Sequence, residues 1–301
     1  MHVPVIDFAA SDEQRLSTEI DRALAEVGFM LVKNLGVDAQ LLTDVYALSR
    51  AFFTGPQQVK QACAYVSAAE NFGYQGLAQE NLDPTSPADL KETFTMRNIL
   101  GLPMEERRWP DATFKEAVTR LYTQALHASY RLQRVITRAL DLEPEFFVRC
   151  HSGENVTLRL LYYPNAGVER IEPNQLGAGA HTDYGLLTLL FQDTVGGLQV
   201  YDANGQWQDV PPIPGAIVIN SGDLLELWTN GRYKSTLHRV QPKIGTQDRM
   251  SIAVFVDPDS ATEVSALDSC IDADHPARFA PTTAGEHLQR KIQASHKDRF
   301  A

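Results

Sequence analysis

Three side chains able to ligate a metal fall in stretches with the two-residue period of a β-strand, and this constrains the fold of the 301-residue chain more than any other feature. His181-Thr182-Asp183 sets an imidazole and a carboxylate two residues apart. In an extended chain such residues point to the same side, with Cα atoms roughly 6.5–7 Å apart, so both can reach one ion. A third ligand must then come from a neighbouring strand. His238 lies in a stretch, 232–240, rich in β-branched and aromatic residues, as strands are. Arg249-Met250-Ser251 opens the next apolar run, Ile252 to Val256, and by the same period presents a guanidinium beside a hydroxyl, a pair that suits a carboxylate. Two imidazoles and one carboxylate form the facial donor set that holds non-haem Fe(II) with positions left open for chemistry.

The rest of the chain divides by period. Ser11-Asp12-Glu13-Gln14 reads as a capping box, and Leu16, Ile20, Ala23, Leu24 and Val27 continue it with helical spacing. A strand from Phe29 to Lys33 and the turn Asn34-Leu35-Gly36 lead to a second helix, from about Asp38 to Phe53, which Gly55-Pro56 stops. Residues 67–90 are turn-rich and aperiodic, as functional loops often are. Trp109-Pro110 precedes a long helical pattern that runs to about Leu142. From Val156 the period becomes that of strands: Val156–Tyr163, Leu186–Phe191, Leu198–Tyr201, Ala216–Asn220, Lys234–Val240 and Ser251–Val256. Gly, Pro, Asn and Asp turns separate them, which predicts a sandwich or barrel with the first-half helices on one outer face. Glu286–Ala294 reads as a closing helix.

Composition narrows the class of partner. A net charge of −11 disfavours nucleic acid and anionic membranes, which are bound through clustered Lys and Arg, and leaves small molecules as substrates. No apolar run approaches a membrane span, and the start Met1-His2-Val3-Pro4 lacks the pattern of a signal peptide, so a cytoplasmic location is expected. Cys63, Cys150 and Cys270 are odd in number and far apart, unlike a disulfide framework or a cysteine-built zinc site. His2, His127, His151, His275, His287 and His296 have no ligand-like neighbours and read as surface or structural.

With its H-T-D triplet, Leu237-His238-Arg239-Val240 and the R-x-S pair, the chain resembles the isopenicillin N synthase-like branch of the 2-oxoglutarate- and Fe(II)-dependent dioxygenases. Flanking text agrees: Val3-Pro4-Val5-Ile6-Asp7-Phe8, Gly28-Phe29, Leu160 to Pro164 and Asn220-Ser221-Gly222-Asp223. The resemblance implies one domain over residues 1–301, with a helix-rich part (1–150), a core (151–260) and a tail with a helix (261–301). The implied core is a double-stranded β-helix, or jelly roll, with N-terminal helices packed on one face and iron at its mouth.

The resemblance also implies roles. His181, Asp183 and His238 would be the metal ligands and catalytic centre. Arg249 and Ser251, with Tyr163 as a further hydroxyl donor, would hold the distal carboxylate of 2-oxoglutarate. O2 would take the remaining position, and the reaction would release succinate and CO2 while oxidising a small metabolite by hydroxylation or desaturation. The carboxylate of Asp183 disfavours halogenation, for which relatives carry a small residue there. Leu161-Tyr162-Tyr163-Pro164 stands where many plant members have Asn-Tyr-Tyr-Pro, which removes a polar group near the cosubstrate. Candidates for the substrate wall are Phe72, Tyr74, Phe94, Arg97, Arg159, Trp228 and Phe255, with core packing as the competing role of each aromatic. Strand parity sets Arg159 on the side of Tyr163, so its guanidinium needs either an internal carboxylate such as Glu226 or an anionic group on the substrate or cosubstrate. Two other readings stay open: an iron oxidase of the same fold that needs no cosubstrate and uses the R-x-S pair to hold substrate, and a non-catalytic metal-binding jelly roll. Substrate identity and oligomeric state stay open as well.

Overall fold

The structure is a computed structural model and describes residues 2–9, 12–83, 85–101, 108–165, 171–242 and 247–296. The helices are α1 (Glu13–Glu26), α2 (Ala39–Phe53), α3 (Gln57–Ala62), α4 (Ala112–Ala139), α5 (Asp223–Trp228) and α6 (Ala284–His296). Strands in the first half are β1 (Val5–Asp7), β2 (Phe29–Lys33), β3 (Phe72–Gln75) and β4 (Glu92–Arg97). The second half supplies β5 (Val156–Tyr163), β6 (Ala178–His181), β7 (Leu187–Gln192), β8 (Leu198–Tyr201), β9 (Trp207–Asp209) and β10 (Ala216–Ser221). It continues with β11 (His238–Val240), β12 (Arg249–Val256), β13 (Glu263–Val264) and β14 (Thr282–Thr283).

Aspartates start the long helices by accepting backbone amides that the first turn leaves free. Asp12 accepts from Arg15 for α1, Asp38 from Gln40 and Leu41 for α2, and Asp111 from Phe114 for α4. The cap of α1 is therefore Asp12; Ser11, the expected cap, lies outside the described residues.

An eight-stranded sheet runs in the order β1-β2-β10-β7-β12-β5-β4-β3 and a four-stranded sheet in the order β6-β11-β8-β9. Side chains of the large sheet alternate between two cores, as the pleat requires. Leu158, Leu160 and Tyr162 of β5, and Met250, Ile252, Val254 and Val256 of β12, pack against α1, α2 and α4 through Leu24, Val45, Phe52, Phe114, Val118 and Leu132. The residues between them, Leu161, Tyr163, Ala253 and Phe255, meet Leu198, Val200 and Val240 of the small sheet. Two facing sheets with helices on one outer side make the jelly roll expected from the sequence.

One expected strand is shorter than its sequence pattern. Of Lys234–Val240 only His238–Val240 pairs as a strand. The Lys234 amide donates to the Leu24 carbonyl, and the Thr236 hydroxyl to that of Val27, so these residues cross to the end of α1 before turning along β8. The crossing depends on Gly28, whose φ is 74° and whose position has no room for a Cβ against the Lys234 carbonyl and Thr236 Oγ1. No helix among the described residues is long and apolar enough to cross a membrane.

Candidate metal centre and its surroundings

His181 ends β6, and Asp183 follows two residues on, past the end of the strand, so only the histidine is in the ladder although both side chains reach the same point. The third residue comes from the neighbouring strand, where His238 of β11 is the register partner of His181. Ligand atoms of His181, Asp183 and His238 lie within 4.8 Å of one another, and no other such group of His, Cys, Asp or Glu occurs among the described residues. Asp183 Oδ1 is 3.8 Å from His181 Nε2 and 3.7 Å from His238 Nε2. Each Nδ1 faces a backbone carbonyl, Gly179 at 2.7 Å and Thr236 at 3.1 Å. A carbonyl can only accept, so Nδ1 carries the proton and each Nε2 lone pair is free for a metal. Burial, then the neighbouring His238, pushes the His181 imidazole down to about 3, so it is neutral. Burial works against ionisation of Asp183, but the two imidazoles and hydrogen bonds from Thr188 and Asn220 outweigh it and hold the carboxyl below its ordinary range.

Those hydrogen bonds define a level in the barrel. Thr188 Oγ1 donates to Asp183 Oδ2 at 2.5 Å and Asn220 Nδ2 to the same oxygen at 2.7 Å, so that Oδ1 is the oxygen that faces the two imidazoles. Thr188 is paired with Asn220 on one side and Phe255 on the other, and the row continues through Thr157 to Arg97. The next row toward the far end runs Leu190, Ala253, Arg159, Thr95, and the one after it Gln192, Ser251, Leu161, Thr93. Arg249 and Tyr163 are paired beyond that.

At this far end Arg249 is 2% exposed. Its Nε donates to the Gly196 carbonyl at 2.7 Å, its Nη1 to Ser251 Oγ at 3.2 Å, and its guanidinium carbon lies 4.6 Å from the centre of the Tyr163 ring. Nη2 is buried with no protein partner. A guanidinium nitrogen left unpaired in the interior, beside a hydroxyl, is what an absent carboxylate would satisfy. Leu161 faces the barrel interior beside Ser251, so that stretch of wall is apolar.

Arg159 faces the interior, as parity requires, but its partner is not Glu226. Its guanidinium pairs with Glu80 and donates to Thr95 Oγ1 at 3.1 Å and Thr93 Oγ1 at 3.3 Å. Lys91 extends the group, 3.4 Å from Glu80 and 2.6 Å from Asp89, and Asp89 accepts the Gly179 amide at 2.9 Å. Positive and negative charges balance there, and the network braces the strand that carries His181. Glu226 lies on α5. The segment 67–90, expected to be aperiodic, contains strand β3, and the stretch after it reaches the interior through Glu80 and Asp89, two residues that no sequence period singles out.

Four expected substrate-wall residues stand elsewhere. Phe72, Tyr74 and Phe94 belong to the helix-facing core, where Phe94 packs on Phe52, Phe72 and Phe114 at 5.2, 5.6 and 5.7 Å between ring centres. Tyr74 Oη donates to Glu92, which also pairs with Lys60. Trp228 packs on Phe147 at 5.3 Å, in the same core. The three strand residues point away from the barrel because successive side chains of a strand alternate, and their neighbours hold the inner face. Phe255 stays on the inner side, and Arg97, whose guanidinium donates to the Ala69 carbonyl, sits at the end of its row. Asp257, which sequence reading missed, follows Phe255 by two positions; burial and the charge of Asp183 push its carboxyl up to about 7.

Residues 154–258 match the 2OG-Fe(II) oxygenase superfamily, and residues 3–115 match the N-terminal region described as non-haem dioxygenase in morphine synthesis. Homoarginine-6-hydroxylase 2-ODD-C23 of Glycine max is 33% identical, with 98% of each chain covered. A full-length Neurospora crassa protein solved in complex with alpha-KG superposes with a TM-score of 0.86 at 30% identity, over 96% of each chain. JOX2 in complex with 2OG, Fe and JA superposes with a TM-score of 0.82 at 27% identity, over 96% of this chain and 85% of its own. The fold, the His-Asp-His cluster and the orphaned guanidinium nitrogen fit these matches, and the chain belongs to the 2OG-Fe(II) oxygenase superfamily, enzymes that use Fe(II), 2-oxoglutarate and O2 to oxidise small molecules.

Proposed function

We propose that His181, Asp183 and His238 hold the iron, and that Arg249, Ser251 and Tyr163 hold the distal carboxylate of 2-oxoglutarate three rows away along β12. The observation that carries this reading is Arg249 Nη2, buried and unpartnered beside Ser251 Oγ. When bound, the iron, 2-oxoglutarate and O2 supply an oxidative decarboxylation that yields succinate, CO2 and the oxidising equivalent for the substrate. The protein's part is orientation. Thr188 and Asn220 fix the Asp183 oxygen that faces away from the metal, the two backbone carbonyls fix the imidazoles, and the neutral Arg159-Glu80-Lys91-Asp89 network closes one wall without adding net charge. A small metabolite sits over the row that ends in Phe255, Thr157 and Arg97, next to the metal. Small molecules named for the relatives, homoarginine for the Glycine max hydroxylase and thymine in a complex of the Neurospora crassa protein, support this class. A cytoplasmic location belongs to the same reading and is in keeping with three free cysteines.

Arg249→Leu tests the assignment. It removes a charge-assisted hydrogen bond worth about 1.5–3 kcal/mol, so calorimetric affinity for 2-oxoglutarate should fall by at least about tenfold while affinity for Fe(II) alone is unchanged. If 2-oxoglutarate binds the variant as it binds the parent, the pair serves another ligand, and the cosubstrate-independent oxidase takes precedence.

A further inference from the structure

Asp183 and His238 reach the metal centre on chain that the strand ladder does not hold. Asp183 lies past the end of β6, and residues 234–237, which deliver His238, cross from the end of α1 before β11 begins. Both stretches meet the turn into α5. There the Gly222 amide donates to the Leu186 carbonyl at 3.0 Å, the Asp223 amide to that of Asp183 at 2.8 Å, and the Leu224 amide to that of Gly185 at 3.0 Å. The two turns approach so closely that Gly222 has no room for a Cβ against the Gly185 and Asp183 carbonyls.

The Asp223 side chain ties the second stretch to the first, and both to the C-terminal helix. Its Oδ1 accepts from Ser235 Oγ at 2.5 Å, and that hydroxyl oxygen lies 3.5 Å from the Asp183 carbonyl. Ser235 stands just before His238 in the crossing segment. The other carboxylate oxygen, Oδ2, faces α6, where Lys291 Nζ is 2.6 Å away and His287 Nε2, one turn earlier, is 3.7 Å away. Lys291 Nζ also lies 5.6 Å from the ring centre of Tyr184, the residue after Asp183. Asp223 is 7% exposed, and a carboxylate this buried is kept in place by its cation, because removing one partner leaves the other charge uncompensated. Without Lys291 it would turn toward solvent and release Ser235.

We propose, resting on the oxygenase reading above, that Asp223 is a positioning residue for the iron: seated by Lys291 and His287 of α6, it fixes the backbone of Asp183 and of the segment carrying His238 at the spacing where their side chains meet. The C-terminal helix is then part of the metal site through Lys291 and His287, neither of which is a ligand. Thr188 and Asn220 orient the Asp183 carboxylate, while Asp223 sets where the backbone beneath it lies. Lys291 is partly open to solvent, so its removal acts modestly, and loss of the whole Asp223 carboxylate acts more strongly.

The test uses the full chain, stripped of metal and refilled anaerobically. Fe(II) affinity is read by competition with a coloured chelator, and Co(II) placed in the same site reports coordination geometry through its visible absorption. Asp223→Ala and Ser235→Ala should each lower Fe(II) affinity by about tenfold and change the Co(II) bands. Lys291→Met should lower it by about threefold, and Lys291→Arg, which keeps a cation, should restore the parent's value. Arg290→Met is the control. It unties α6 from Thr282 Oγ1, which Arg290 Nη2 reaches at 2.9 Å, but leaves Asp223 seated, so Fe(II) affinity should stay that of the parent even if the thermal midpoint falls. Parent-like Fe(II) affinity in Lys291→Met overturns the proposal, as does parent-like affinity or unchanged Co(II) bands in folded Asp223→Ala or Ser235→Ala. A loss in Arg290→Met or Lys291→Arg as large as that in Lys291→Met also overturns it, because it would mark a general loosening of the helix. The Lys291 series decides the matter even if Asp223→Ala fails to fold. Failure of the parent to bind Fe(II), or binding that survives His181→Ala, would instead strike at the ligand assignment, and the same titration separates the two.

Discussion

Thr188→Val removes one donor from the Asp183 carboxylate, proposed above as a metal ligand, with almost no change in shape. In the parent, Asp183 Oδ2 accepts from Thr188 at 2.5 Å and Asn220 at 2.7 Å, while Oδ1 faces the two imidazoles. A hydrogen bond to an ionised group is worth about 1.5–3 kcal/mol, and the loss of a partner behind a metal ligand typically costs roughly 10–100-fold in affinity. One donor remains in the single variant, so Fe(II) affinity should fall by about tenfold; with Asn220→Leu added, both are gone and the loss should exceed about a hundredfold. The pH profile should move too. The parent carboxyl is held below its ordinary value, so metal binding persists as the solution is acidified; without the donors its pKa rises and binding is lost at a higher pH. Competition between the protein and a coloured chelator for Fe(II), under anaerobic conditions from about pH 5 to 8, measures both effects. An Fe(II) affinity within about twofold of the parent in the double variant, with no movement of the acid limb, would refute the account of how Asp183 is held.

The remaining predictions concern the ligands, the wall and the core. His181→Ala, Asp183→Ala and His238→Ala should each abolish succinate formation while far-ultraviolet circular dichroism is retained; near-normal turnover in any two would end the triad assignment. Burial opposes ionisation of Glu80, but Arg159 and Lys91 hold its carboxyl down at about 2 against an ordinary 4.5. The stability this contributes, on the order of 3 kcal/mol, is present above about pH 4.5 and lost as the pH falls toward about 2. Glu80→Gln should therefore lower urea stability near neutrality and flatten its decline in acid, and an unchanged acid limb would refute the pairing. Phe94→Ala, which empties a position between β4 and α2, should cost about 3–5 kcal/mol in urea unfolding. Phe255→Ala should cost much less and instead raise the Michaelis constant for substrate, so equal destabilisation by the two would contradict the division into outer and inner faces.

The clustering of His181 with Asp183 and of Arg249 with Ser251 was legible because the two-residue period of a strand is local and puts each pair on one side. What surrounds them depends on register between strands far apart in sequence. Thr188 and Asn220 reach Asp183 because β7 and β10 are antiparallel neighbours in one particular alignment, which neither segment reveals alone. Yet Thr188 is the one hydroxyl in an otherwise apolar run, and that oddity was a readable signal. The placement of Phe94 was readable in the same way. Phe94 and Arg97 are three residues apart, an odd number, so a strand through both cannot turn the two inward together; with Arg97 inside, Phe94 has to face the helices. The Glu80 partner of Arg159 lay beyond such reasoning, because a turn-rich loop has no period from which to place a side chain.

Asp183 and Asp257 are far apart in sequence but close enough in space for the charge of one to act on the other, and their surroundings assign them different work. Asp183 has two hydrogen-bond donors on one oxygen and two imidazoles on the other, enough to outweigh burial and keep it ionised, which a metal ligand must be. Asp257 has a single amide, and burial together with its negative neighbour drives its carboxyl the opposite way. Exchanging their roles would require moving the donors, since neither carboxylate differs from the other chemically. The donors sit on β7 and β10, strands fixed by packing against the helices on the far side of the sheet. The seating of the Asp183 donors therefore depends on the outer core as much as on the pocket, and on the proposed ligand set a substitution such as Leu189→Ala, helix-facing and next in the chain to Thr188, should weaken Fe(II) binding as well as stability. If Leu189→Ala lowers the urea midpoint while Fe(II) affinity stays that of the parent, the strand's seating against the helices does not govern the ligand, and the two faces of the sheet act independently.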